Sequence, residues 1–130
     1  MSIRLLIVED TDHVREMLVE ILRLHGFEVG AHAASGPEAL GQVDECDPDI
    51  VVADYRMADM DCVELARRIR ERRPDQQVVL YSAFLDGNVE RAAQIAGVAA
   101  CVPKRQGVEE LAREISAVAM QLGDGDDPRG

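Results

Sequence analysis

Five side chains able to handle an anionic group or a metal ion stand where short apolar runs stop. They are Glu9 and Asp10 after Leu5-Leu6-Ile7-Val8, Asp54 after Ile50-Val51-Val52-Ala53, Ser82 after Val78-Val79-Leu80-Tyr81, and Lys104 after Cys101-Val102-Pro103. Read as parallel strands, the runs bring all five groups to one sheet edge, the crevice outside the carboxyl ends where open α/β sheets bind their ligands. Three carboxylates there suit a hard dication, while the lysine and the hydroxyl suit anionic oxygens. The set reads as a Mg²⁺-dependent phosphoryl site rather than a hydrolytic triad.

The elements that must hold these groups alternate between strand-like and helix-like patterns five times. Val14, Met17, Leu18, Ile21 and Leu22 share one face of a first helix that Gly26 closes, with Asp12 as its expected cap. Ser35-Gly36-Pro37-Glu38 announces a second helix burying Ala39, Leu40 and Val43, after a weak strand at residues 28–31. A third aligns Cys62, Leu65, Ala66 and Ile69 up to Pro74, and a fourth aligns Val89, Ala92, Ala93 and Ala96 up to Gly97. The last carries Val108, Leu111, Ala112, Ile115, Val118, Ala119 and Leu122 on one face. Strands one, three and four are unbroken apolar runs, as expected of strands covered on both faces, so they are central and the other two lie at the edges. With right-handed crossovers this predicts an α/β, flavodoxin-like, doubly wound five-stranded parallel sheet in the order 2-1-3-4-5 with five helices. One domain is expected over residues 3–122, and the glycine- and aspartate-rich residues 123–130 read as a flexible tail or the start of a linker.

Composition narrows the function classes. A chain of 130 residues with 47% hydrophobic residues suits one domain with a real core. Its net charge of -11 argues against direct binding to nucleic acid or a membrane surface. No run approaches the roughly 20 apolar residues of a membrane span, and residues 1–4 lead straight into a strand rather than a signal peptide, so a cytoplasmic location is expected. Cys46, Cys62 and Cys101 lack metal-ligand spacing and read as free thiols, and His13, His25 and His32 also lack it. No glycine-rich phosphate loop is present.

Taken in order, Val8-Glu9-Asp10, Asp54-Tyr55-Arg56-Met57 continuing through Ala58-Asp59-Met60-Asp61, the pair Ser82-Ala83, and Lys104 resemble the receiver domains of two-component response regulators. The resemblance spans nearly the whole chain. It implies that Asp54 is the phosphoacceptor, taking a phosphoryl group from a sensor histidine kinase or phosphotransfer protein, and that Lys104 and Ser82 contact that group. It implies Mg²⁺ as the cofactor, held by Glu9, Asp10, Asp54 and the backbone carbonyl of Arg56. The chain would then be a phosphoacceptor with self-dephosphorylation rather than an enzyme acting on a separate substrate. Signal would leave through Ser82, Ala83 and Phe84 to a downstream protein target or output domain, or through a phosphorylation-dependent homodimer.

The chain also departs from the family pattern. Ala58 stands in place of a proline, Cys62 in place of a glycine, Cys101 in place of a switching aromatic, and Arg105 in place of the proline that follows the lysine. Phe84 and Arg56 would flank the phosphoryl group and restrict water. Two alternatives stay within the fold: a phosphorylation-independent docking module, and the N-terminal receiver of a longer transcriptional regulator. A haloacid-dehalogenase-type phosphatase would place its nucleophile in a D-x-D pattern after the first strand, and a flavin carrier would need more aromatics. A basic face carrying Arg91, Lys104, Arg105 and Arg113 is the expected docking surface for an acidic partner or a second copy.

Overall fold

The computed structural model describes residues 2–57 and 59–126, with side chains through Gln121. Five strands, β1 (Arg4–Val8), β2 (Glu28–Ala33), β3 (Ile50–Ala53), β4 (Gln77–Ser82) and β5 (Ala100–Pro103), form one parallel sheet in the order β2-β1-β3-β4-β5. Five helices connect and follow them: α1 (Asp12–Leu24), α2 (Gly36–Cys46), α3 (Cys62–Arg72), α4 (Gly87–Ala96) and α5 (Gly107–Asp126). The expected topology is the observed one. Ala58 and residues 127–130 lie outside the described residues, as does the Leu122 side chain of the expected stripe. Helix α5 continues through residues 123–126, where the sequence has no periodicity.

The strands alternate between two cores. Leu5, Ile7, Ile50, Val52, Val79 and Tyr81 face one cluster with Leu18 and Leu22 of α1 and Leu111 and Ile115 of α5. Leu6, Val8, Val51, Ala53, Val78 and Leu80 face the other with Val43 of α2, Leu65 and Ile69 of α3 and Ala93 of α4. This period-two division explains why β1, β3 and β4 read as continuous apolar runs: both of their faces are buried. β2 and β5 are mixed, as edge strands are.

Local signals set the helix ends. Ser35 Oγ accepts from the Glu38 amide at 3.2 Å, with proline in the first turn of α2. Asp61 and Asp86 cap α3 and α4 by accepting from Glu64 and Val89 amides at 2.8 and 2.9 Å. At α1 the expectation needs correction. Thr11 holds the cap position without a side-chain bond, and Asp12 sits in the first turn, accepting from Arg15. The buried face of α1 is Leu18, Val19 and Leu22, rotated from the expected stripe, and Met17 is 51% exposed.

Helix α4 ends on Gly97 in the left-handed region, at φ +89°, and a Cβ there would lie 2.6 Å from Arg70 Nε. Arg70 has little freedom to retreat, because its guanidinium donates to the Gln76 carbonyl at 2.7 Å. Gly97→Ala is therefore expected to cost about 1–2 kcal/mol in urea unfolding, from backbone strain plus displacement of Arg70. Unchanged stability would contradict the strain.

Candidate functional site

Register and alternation bring the chemistry together at the carboxyl edge of the sheet. Val8 pairs with Ala53, and the Asp54 amide donates to the Val8 carbonyl at 3.2 Å, so Glu9 and Asp54 leave adjacent strands side by side. Ser82 pairs with Pro103 one residue before Lys104. Glu9, Asp54 and Lys104 each fall two residues after Ile7, Val52 and Val102, which face the α1 and α5 layer, so strand alternation directs them to one side.

The three meet. Lys104 Nζ donates to Glu9 Oε1 at 2.9 Å and to Asp54 Oδ2 at 3.2 Å. The Glu9 side chain is 5% exposed and that of Asp54 13%. Glu9 Oε2 also accepts from the Thr11 amide at 3.2 Å. Burial raises the Glu9 pKa, and the bonds from Lys104 and Thr11 only partly offset it. For Lys104 burial acts to lower the pKa, but the bond to Glu9 and the charges of Asp54 and Glu9 outweigh it and hold the ammonium above its ordinary range. Both pKa values therefore lie above their ordinary ranges, Glu9 because the deeper carboxylate bears more of the desolvation cost and Lys104 because its two carboxylate partners outweigh its own burial.

One oxygen is left over. Asp54 Oδ1 is buried and has no hydrogen-bond partner among the described residues. Asp10 is exposed at the mouth of the same edge. Among the described residues no three His, Cys, Asp or Glu side chains are gathered into a metal cage, since the Lys104 ammonium holds Glu9 and Asp54. The donor set still fits a hard dication: carboxylates from two strand ends, an orphaned buried oxygen, and a backbone loop alongside. Ser82 is fully buried, and its Oγ accepts from the Phe84 amide at 3.0 Å, which leaves the hydroxyl proton free to be donated. Beyond it, the Arg56 guanidinium stacks 4.3 Å from the centre of the Phe84 ring, bridging the β3–α3 and β4–α4 loops. Ala83 is exposed beside that stack and Cys101 is half-buried on β5.

Lys104 is positioned without a cis peptide. None occurs among the described residues, and Pro103 ends β5 in extended conformation before a single 3₁₀ turn, Lys104–Gln106, that closes on Gly107 at φ +85°. The expected basic face needs correction on two counts. Lys104 turns inward, and Arg113 pairs with Glu110 at 2.8 Å and lines the α1–α5 cleft with His25 and Phe27. Arg91, Arg105 and Arg113 are the exposed members of that set, and of these Arg113 is already paired.

Sequence reasoning overlooked Arg15. Its side chain is 12% exposed, and it donates to the Glu9 carbonyl at 2.9 Å, to Asp12 at 2.8 Å and to His32 Nδ1 at 3.3 Å, tying the β1 end to α1 and β2. The signal was legible: Arg15 precedes Leu18, Val19 and Leu22 at i+3, i+4 and i+7, so it lies on the core side of its helix.

A stability test follows from the signs of the shifts. Glu9, with a folded pKa above the ordinary 4.5, holds its proton more tightly in the folded chain, so ionising it as pH rises removes stability. The Lys104 contribution is present below its ordinary 10.5 and is lost only as pH rises above that value. Lys104→Met is therefore expected to destabilise by about 1–3 kcal/mol at pH 8 in urea unfolding, and by less at pH 5, where Glu9 can accept a proton instead of the missing ammonium. An equal or larger loss at pH 5 would contradict the pairing.

Comparison with known proteins agrees with this fold. The family model for the response regulator receiver domain matches residues 5–116. A chemotaxis protein CheY of Listeria monocytogenes is 40% identical over 82 residues, 63% of this chain and 69% of that protein. A protein-glutamate methylesterase/protein-glutamine glutaminase of Alkalilimnicola ehrlichii is 30% identical over 132 residues, 96% of this chain; the chain spans only 34% of that relative. The solved response regulator TrrA of Thermotoga maritima, in complex with Mg²⁺-BeF, superposes with a TM-score of 0.80 at 28% identity, covering 91% of this chain and 99% of that one. With its fold and its family match both in place, this chain belongs to the response regulator receiver domains of two-component signalling.

Proposed function

We propose that the chain receives a phosphoryl group on Asp54 from a histidine kinase or phosphotransfer protein in the cytoplasm, and that Lys104 and Ser82 read its arrival. The observation that carries this reading is the Asp54 carboxylate itself, with Oδ2 held by Lys104 at 3.2 Å and Oδ1 buried without a partner. An unsatisfied buried acceptor is costly, and this one sits where an electrophilic phosphorus would be attacked. In the transfer, an Asp54 oxygen forms a bond to phosphorus as the bond from phosphorus to the donor imidazole breaks. Lys104 keeps the nucleophile oriented beforehand and pairs with the added negative charge afterwards. Ser82 Oγ donates its proton to a phosphoryl oxygen, which draws the end of β4 and the loop after it toward the group. Mg²⁺, held by Asp10, Asp54 and the Arg56 carbonyl with Glu9 alongside, would neutralise the phosphoryl oxygens. The complex of TrrA with Mg²⁺-BeF supports the same chemistry here.

Arg56 and Phe84, two residues beyond Asp54 and Ser82, stack on one another between the two loops, so we assign the pair the exclusion of water from the acyl phosphate. Output passes to a protein target, an attached output domain or a second copy.

Three outcomes test this reading. Mg²⁺ should raise the melting temperature of the wild type, and Asp10→Asn should abolish that rise while being at least as stable as wild type without metal, because it relieves carboxylate repulsion. With Mg²⁺ present, beryllofluoride should shift the amide resonances of Ser82 and Phe84, and Asp54→Asn should lose the response; an unaltered response would rule out Asp54. Phe84→Ala should hydrolyse its phosphoryl group several-fold faster than wild type in a phosphate-release assay, and an unchanged rate would remove the stack from water exclusion.

A further inference from the structure

The largest exposed aliphatic side chains point to a second surface, away from the phosphoryl pocket. Ile95 of α4 is 83% exposed, the highest exposure among the large hydrophobic residues. It does not stand alone. Val63 of α3 and Ala92 and Ala96 of α4, all half-buried, form with it the apolar floor of a groove between the two helices. The rim is mainly basic, with Arg67 and Arg70 on α3 beside Glu71. Arg70 spends its guanidinium on the Gln76 carbonyl, so no carboxylate cancels its charge there, whereas Arg67 pairs with Glu64. Arg91, one turn before Ile95 on the same helix face, is exposed and makes no ion pair among the described residues. Glu90, its neighbour in sequence and the acid of α4, is exposed as well.

Charge decides what such a groove would accept. The chain carries -11 overall, yet the groove and its immediate surroundings hold four arginines, Arg67, Arg68, Arg70 and Arg91, against Glu64, Glu71 and Glu90. An acidic partner is repelled by most of the surface and attracted here. Two helices lying side by side offer a furrow and no free strand edge, so the matching ligand is a helix with its own apolar stripe.

We propose that the α3–α4 groove is a docking site for an acidic amphipathic helix of a partner protein, seated on Val63, Ala92, Ile95 and Ala96 and steered by Arg67, Arg70 and Arg91. It does not depend on the assignment of Asp54. Binding of a dye-labelled synthetic 16-residue helical peptide, with leucines at i, i+4, i+7 and i+11, four glutamates on the flanking positions and alanine elsewhere, would be followed by fluorescence anisotropy against the full chain. The control is the same peptide with lysine in place of glutamate. The acidic peptide should bind, the lysine peptide should bind at least about fivefold more weakly, and Ile95→Asp and Arg91→Glu should each weaken the acidic peptide at least about fivefold, the loss of one well-placed contact. Both substitutions lie at exposed positions, and melting curves matching wild type would show the fold intact. Failure of the acidic peptide to bind, equal binding of the lysine peptide, or smaller losses in both variants would overturn the proposal; beryllofluoride binding at Asp54 would be unaffected either way.

Discussion

The Lys104 ammonium joins strand ends that would otherwise repel. β1 and β3 finish on Glu9 and Asp54, side by side in a parallel sheet, and parallel alignment leaves no alternative place for two carboxylates that follow paired residues. Placing Nζ at 2.9 and 3.2 Å from them makes the arrangement tolerable and ties the edge strand β5 to the middle of the sheet. The compensation is incomplete by construction. Glu9 keeps a raised pKa from burial, and Asp54 Oδ1 keeps no partner. Both deficits are of the kind that a dication and a phosphoryl group would relieve, so the folded chain holds Asp54 in a state that favours such ligands.

Much of this was legible in the sequence, for reasons that differ between elements. The central strands read clearly because both faces are buried, and Glu9, Asp10, Asp54 and Ser82 stand out because each ends or follows such a run, whereas Lys104 follows the mixed edge strand β5. Helix α3 read correctly because Cys62, Leu65, Ala66 and Ile69 are its only apolar stripe and all four are fully buried. Helix α1 did not, because it carries more apolar residues than its core position uses. Met17 and Leu24 stand exposed while Val19 packs inside, and hydropathy alone does not say which of two adjoining apolar arcs faces the sheet. Lys104 was expected on an outer face because spacing gives position along an element, not the direction in which a long side chain finds its partner. The core-side position of Arg15 was legible from its helix spacing, but its bonds to the Glu9 carbonyl and to His32 form only where the folded chain brings the end of β1 and β2 within reach.

Departures from the family pattern now have physical settings. A 3₁₀ turn and a left-handed glycine follow Lys104, where the family places proline after the lysine. Cys101 is half-buried, and its thiol is held protonated by burial and by the charge of Glu90. The bulk that could move in response to the site lies in Phe84, stacked under Arg56 at the loop that follows Ser82. Motion there would be felt first by α4, whose cap Asp86 is two residues beyond Phe84 and whose outer face carries Ile95.

The central claim is that Asp54 accepts a phosphoryl group because Lys104 leaves it one free, buried oxygen. Incubation with acetyl phosphate, followed by intact-mass measurement and hydroxylamine treatment, addresses it without knowledge of the kinase. One hydroxylamine-labile phosphoryl group per chain, dependent on Mg²⁺ and absent from Asp54→Asn, is the expected result. Equal labelling of Asp54→Asn, or a label stable to hydroxylamine, would contradict it.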